Sequence, residues 1–164
     1  MIRTCIPGNY NDFCDWLVDN GFFTAPASAN HHGNHEGGLF EHSCTVAETL
    51  ADLTKDNDLH WASSRSPYIV GMFHDLCKID QYVISKDGYE RNKKCLLDGH
   101  GDKSILLLAQ HMRLTEEEVL CIRWHMGAFD DTENWKHYTA AVRKYPNVLF
   151  THTADMIAAH VLEV

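Results

Sequence analysis

The side chains with the most chemistry to offer in this chain are its twelve histidines and a few aspartates that stand where core residues are expected. Side chains three or four apart share one face of a helix. By that rule His42, three after Leu39 and four before Val46, points where the apolar residues of its helix point. His74 stands four after Val70 and is followed by Asp75, and His125 stands three after Ile122 and four after Cys121. Asp155 stands seven after Val148, four before Ala159 and seven before Leu162, and His100 falls at the start of a helix in Asp98-Gly99-His100-Gly101. An inward carboxylate without a partner is strongly unfavourable, and two are expected here on different helices. A divalent cation neutralises them while taking neutral imidazoles as further ligands, and mixed His/Asp shells suit Mn, Fe, Co, Ni or Zn. Six candidate ligands, His42, His74, Asp75, His100, His125 and Asp155, exceed the need of one tetrahedral ion and match two divalent ions with a shared carboxylate.

Helices must bring these residues together. Asn11 can cap a short helix that carries Phe13, Trp16 and Leu17 on one face, and Gly21 would end it. Residues 22 to 38 hold Pro26, Ser28, Asn30, Asn34 and three glycines, which reads as a long loop of the kind that is usually functional. The spacing of Leu39, Val46, Leu50 and Leu53 predicts a helix over about 39–54. Ser66-Pro67 is a cap and an N1 proline that open another through Ile69, Val70, Phe73 and Leu76. Alternation from Gln81 to Lys94 around Asp87-Gly88 predicts a small β-hairpin. Helices resume over about 102–112, 115–126, 135–145 and 148–162, with Thr115 and Glu118 as a capping box. The expected architecture is an all-α bundle of about six helices with one short hairpin, forming a single domain over residues 1–164.

Composition narrows the function. With 45% hydrophobic and 23% charged residues the chain has the balance of a soluble globular protein. The start, Met1 to Pro7, has no apolar signal region, and the longest aliphatic run, Ile105 to Ala109, is too short to cross a bilayer, so a cytoplasmic location is expected. The six cysteines are scattered without zinc-knuckle or redox-pair spacing and read as reduced thiols. A net charge of -9 without a basic run disfavours long duplex nucleic acid, but leaves room for a small anion beside a local cation.

Met72-Phe73-His74-Asp75-Leu76-Cys77-Lys78 resembles the His-Asp signature, with its following lysine, of the HD-domain superfamily of metal-dependent phosphohydrolases. The order His, His-Asp, His, His, Asp, at intervals of 32, 26, 25 and 30 residues, is similar to that of its dinuclear members. His31-His32, then Gly37-Gly38-Leu39 and Glu41-His42-Ser43, resembles the segment ahead of the first ligand in ribonuclease-like HD proteins, with one extra residue between the paired histidines and glycines. Trp124-His125-Met126-Gly127 departs from several relatives, which carry a second histidine where Met126 stands. Tyr145 to Phe150, leading into His152-Thr153-Ala154-Asp155-Met156, is similar to the family's closing helix; His152 itself reads as structural.

The resemblance implies a phosphomonoesterase or phosphodiesterase with an HD-domain-like helical fold. His42, His74, Asp75 and Asp155 would hold one ion, His100 and His125 the other, and Asp75 would bridge them. Two nearby cations acidify a shared water and offset charge at phosphorus, which makes Asp75 catalytic. Lys78 would act as catalytic and substrate-binding cation, with His31 and His32 as further substrate-binding residues. The expected partner is a small phosphorylated substrate, with nucleotides and short single-stranded RNA or DNA among the candidates, and no membrane. Two other readings share the ligand set: a di-iron oxygenase of the same superfamily that cleaves a carbon bond, and a silent nucleotide-binding HD module.

Overall fold

A computed structural model describes residues 10–127 and 132–164. Cys5 and the Met1 to Pro7 segment lie outside the described residues. Seven α-helices and one antiparallel hairpin make up the described architecture, against the six or so helices expected. The helices are α1 (Tyr10–Asp19), α2 (Gly38–Asp56), α3 (Ser66–Phe73), α4 (Gly101–Leu108), α5 (Glu116–Arg123), α6 (Trp135–Lys144) and α7 (Asn147–His160). A 3-10 turn over Leu76–Asp80 follows α3, and another over Thr132–Asn134 precedes α6. Strands β1 (Tyr82–Ser85) and β2 (Gly88–Arg91) form the hairpin.

The apolar stripe of α2 is the spine. Leu39, Val46 and Leu50 are fully buried, and the helix packs against both α3 and α7. α5 lies between α4 and α7, and Leu17 and Phe22 from the first segment close the core against Phe73 and Phe40. At Gly71 the α3 and α2 backbones touch, because a Cβ there would sit 2.4 Å from Ala47 Cα. Gly101 brings the start of α4 equally close to the end of α5, 2.5 Å from Ile122 O on the same construction. The Thr115–Glu118 capping box forms as expected. Its Glu118 also accepts from the Ser66 hydroxyl at 2.8 Å, so Ser66 ties α3 to α5 rather than capping its own helix. Glu117 accepts from Asn147 Nδ2 at 2.8 Å and from the Ala62 amide at 3.0 Å, which anchors α7 and the loop before α3 to α5.

Several boundaries differ from the sequence expectation, and the helix expected over about 102–112 ends at Leu108. α3 stops at Phe73 and α5 at Arg123, so His74, Asp75 and His125 stand just past helix ends instead of within helices. The hairpin turns at Lys86-Asp87, with Gly88 already paired to Ser85, because Ser85 Oγ accepts from the Asp87 amide and donates to Gly88 O. α7 ends at His160, so Leu162 leaves the buried stripe and is 51% exposed. No helix among the described residues is long and apolar enough to cross a membrane.

The contact at Gly71 leaves no room for a methyl group. Gly71→Ala is expected to lower stability in urea denaturation by about 1–3 kcal/mol through overpacking. An unchanged midpoint would mean that α2 and α3 do not meet backbone to backbone.

Candidate metal centre

The last carbonyls of an α-helix have no partner within it. His74 and His125 each use one: His74 Nδ1 donates to Gly71 O at 2.8 Å, and His125 Nδ1 donates to Ile122 O at 2.7 Å, three residues back in both cases. A carbonyl only accepts, so Nδ1 carries the proton and Nε2 keeps its lone pair. Both Nε2 atoms are completely buried, without a hydrogen-bond partner among the described residues. His42, in the second turn of α2, donates from Nδ1 to the main-chain oxygen of Val164 at 2.8 Å, so its Nε2 is turned inward in the same way.

The inward nitrogens meet carboxylate oxygens. His42 Nε2 is 3.1 Å and His74 Nε2 3.7 Å from Asp155 Oδ1. Asp75 divides its two oxygens: Oδ2 lies 3.5 Å from His74 Nε2 and 4.0 Å from His42 Nε2, and Oδ1 lies 3.3 Å from His125 Nε2 and 3.7 Å from His100 Nδ1. Acceptors therefore face acceptors in a buried space, an arrangement that repels unless a proton or metal cation stands between them. Two ligands of one ion at about 2.1 Å stand no more than about 4.2 Å apart, and these pairs fall inside that limit. Three groups of ligand atoms converge: His42, His74 and Asp75; Asp75, His100 and His125; and His74, His125 and Asp155. Imidazole nitrogen and carboxylate oxygen are the donors that first-row divalent ions take, so the centre fits a metal.

Lys78 supplies the cation that the chain itself can offer. Its Nζ is 2.6 Å from Asp75 Oδ2, and both side chains are buried. Burial would push the Asp75 carboxyl up, but the Lys78 ammonium and then His74 outweigh it and hold the group well below the usual carboxylate range. Burial likewise opposes ionisation of Asp155 and is outweighed by the neighbouring His42 and His74, so its carboxyl stays below the usual range. Lys78 is pulled down by burial and raised more strongly by Asp75, so it stays an ammonium.

A cavity of about 440 Å³ opens beside the centre. Asp75, Lys78, His100 and Asp155 line it, and so do His31 and His32. His42, His74 and His125 lie beneath, fully buried. The structure thus brings the six expected ligand candidates together and sets the two expected substrate contacts at the mouth of the same cavity. His32 packs 5.0 Å from the His42 ring, and burial lowers its pKa to about 4, so it meets a ligand as a neutral imidazole. His35 faces Glu41 at 3.4 Å. His152 donates from Nδ1 to His125 O at 2.7 Å and packs over Gly127, which holds the turn carrying His125.

Tyr82 and His160 also line the cavity and escaped the sequence reading. Tyr82 looked like an ordinary strand residue, and His160, five after Asp155, broke the helical spacing by one. Cys77 was read only as a buried thiol, yet its Sγ is 3.4 Å from His100 Nδ1, and burial, with Asp75 adding to it, pushes the thiol up to about 12.

No family model matches the chain, and no solved structure matches it. Over 79 residues it is 33% identical to a dihydroneopterin 2',3'-cyclic phosphate phosphodiesterase of Methanocaldococcus jannaschii. The match covers 44% of this chain and 31% of that protein, so the chain is similar to about a third of the relative's length.

The charge state of the centre predicts an acid limb. Asp75 and Asp155 hold protons less tightly folded than unfolded, so the stability they contribute is complete above about pH 4 and is lost as the pH falls further. Without metal, stability is expected to drop progressively below about pH 4 and to go on falling past pH 3, at up to about 1.4 kcal/mol per pH unit for each carboxylate. Asp155→Asn should flatten that limb in urea titrations with a chelator present, and equal slopes in variant and parent would refute the assignment.

Proposed function

We propose that this chain is a metal-dependent phosphohydrolase of the HD-domain type, with a dinuclear centre and a small phosphoester as substrate. One observation carries the reading: buried imidazole lone pairs are aimed at buried carboxylates, with no donor of their own to satisfy them. The ordered His, His-Asp, His, His, Asp pattern supports it, as does the partial similarity to a cyclic phosphate phosphodiesterase.

In this reading His42, His74, Asp75 and Asp155 would hold one divalent ion and His100 and His125 the other, with Asp75 shared between them. Bound there, the ions supply an acidified water and positive charge against the phosphorus, with Mn, Fe, Co, Ni and Zn all suited to the donor set. The chain's own work is to fix and to discriminate. Gly71 O and Ile122 O set the tautomers of His74 and His125, so each presents a lone pair in a fixed direction. Asp75 is the catalytic carboxylate, because both halves of the centre meet on it. Lys78 is the catalytic cation, since its ammonium lines the cavity and can donate to a non-bridging phosphate oxygen. His31 and His32 bind the substrate at the mouth of the cavity as hydrogen-bonding imidazoles. A chain of net charge -9 draws no long polyanion, and this local cation admits a small one.

Metal analysis of the protein as purified, joined to phosphate release from model mono- and diesters, tests the proposal. His74→Ala and Asp75→Ala are expected to lose metal and about a hundredfold or more of the activity. Lys78→Ala should keep its metal and lose about a hundredfold in kcat. Full activity in both ligand variants would end the hydrolase reading, and oxygen uptake with Fe(II) in place of phosphate release would move the centre to oxygenase chemistry.

A further inference from the structure

Outside the candidate centre, a second group of side chains has chemistry of its own. Lys103, in the first turn of α4, is 3% exposed, and a buried ammonium needs partners. Its Nζ donates to Asp80 Oδ1 and to Cys95 Sγ, the latter at 3.0 Å. A local turn sets the thiol there. Asn92 Nδ2 donates to Asp80 O at 2.8 Å and the Cys95 amide donates to Asn92 O at 3.3 Å, so the segment after β2 folds back over the end of the Leu76–Asp80 turn. The sulfur stands 3.5 Å from Asp80 Oδ2 and 3.1 Å from Leu97 O, two acceptors for its own hydrogen. Neither Asp80, Cys95 nor Lys103 lines the cavity beside the centre, and Cys95 is partly exposed, so a small oxidant reaches it. Amine, thiol and carboxylate thus stand within reach of one another, and the phosphoester reading gives them no task.

We propose that Cys95 and Lys103 form a reversible redox crosslink in which one oxygen atom bridges the sulfur and the nitrogen. At 3.0 Å the two atoms are too far apart for a direct bond, and the gap takes a single bridging atom. Dioxygen is the co-reactant. The thiol, the ammonium and one dioxygen give the S–O–N bridge, one water and one proton. S–O and N–O bonds form and the O–O bond breaks, with sulfur and nitrogen each giving up two electrons to the oxygens. Of the four hydrogens on thiol and ammonium, one stays on nitrogen, two leave in the water and one is released. Asp80 takes the ammonium proton, because its carboxylate already accepts from Nζ, and this frees the nitrogen lone pair beside the sulfur. Excess dithiol supplies four electrons and four protons and returns thiol, amine and water. The bridge closes residues 95–103 into a ring that contains His100, the most exposed of the six ligand candidates, so the redox state of this pair acts on the segment that carries it. The inference does not depend on the phosphohydrolase reading.

Mass spectrometry of the full chain tests this, comparing protein held under dithiothreitol without air with protein moved into oxygen-saturated buffer. The oxygenated chain is expected to gain one oxygen atom and lose two hydrogens, and dithiothreitol should reverse the change. Peptide mapping should place it on a Cys95–Lys103 link, with trypsin no longer cutting after Lys103. Cys95→Ser and Lys103→Arg should stay unlinked, the second although it keeps a positive charge for Asp80. Asp80→Asn should slow the link by about a hundredfold, as loss of a positioned base does. The parent's own mass decides the matter, so a variant that fails to fold leaves the test intact. A parent chain that stays unlinked under oxygen overturns the inference. So does one in which Cys95 takes up oxygen, or pairs with another cysteine, while trypsin still cuts after Lys103.

Discussion

The constraint on which this structure turns is a crowd of acceptor atoms at the floor of a cavity, the imidazole nitrogens among them fully buried. Asp75 and Asp155 bring carboxylate oxygens, and His42, His74 and His125 bring nitrogen lone pairs, within 3.1 to 4.0 Å of one another. Each imidazole has already committed its proton to a main-chain oxygen, so none can relieve a carboxylate while neutral. Lys78 is the ammonium that reaches Asp75, and one ammonium does not compensate two carboxylates and three lone pairs. A buried charge left uncompensated costs several kcal/mol, so such a centre favours further positive charge inside it, whether a proton or a metal cation.

Helix ends convert that requirement into geometry. His74 and His125 are held by carbonyls that α3 and α5 leave free, and the glycines that let the helices approach are part of the same machinery. Gly71 touches Ala47 through its α-carbon and holds His74 through its oxygen. Gly101 follows His100 and packs on Ile122, whose oxygen holds His125. The closest packing in the bundle and the orientation of the imidazoles therefore depend on the same residues. A shift of one helix by half an ångström would move the donor atom with it, so rigidity of the core is a condition of the centre.

Much of this was legible in sequence because the fold and the centre leave the same periodic trace. His42 fell on the stripe of Leu39 and Val46, and Asp155 on that of Val148 and Ala159, since burying a polar group next to apolar ones leaves it at a core spacing. The capping box at Thr115 was equally readable, because its two bonds are local. What escaped depends on contacts that spacing does not reveal, some local and some between distant segments. The ends of α3 and α5 are set by His74 and His125 folding back on their own carbonyls, and spacing alone could not tell that from a continuing helix. Ser66 had the type and position of a cap, and Glu118, 52 residues away, drew its hydroxyl elsewhere. Tyr82 entered the cavity through the placement of the hairpin, for which local sequence carries no signal. Conversely, His111 shows how histidine count misleads: it stacks on Phe13 at 4.7 Å and tilts against Trp16 at 4.5 Å as a half-buried packing ring, far in role from any ligand.

Lys78 joins the electrostatic and chemical sides of the site. As the chain stands, its ammonium is bound to Asp75, buried, and held charged by that contact. On the proposed reading, cations inside the centre take over the neutralisation of Asp75, and the attraction that fixes Lys78 weakens in proportion. The ammonium remains in the cavity wall with donors to spare, since it carries three N–H bonds and one carboxylate oxygen uses only one. A phosphate oxygen arriving there restores the lost partner without taking Lys78 out of its burial. The same lysine therefore stabilises the chain when the centre lacks cations and becomes free to recognise an anion when the centre holds them, which couples substrate affinity to metal occupancy.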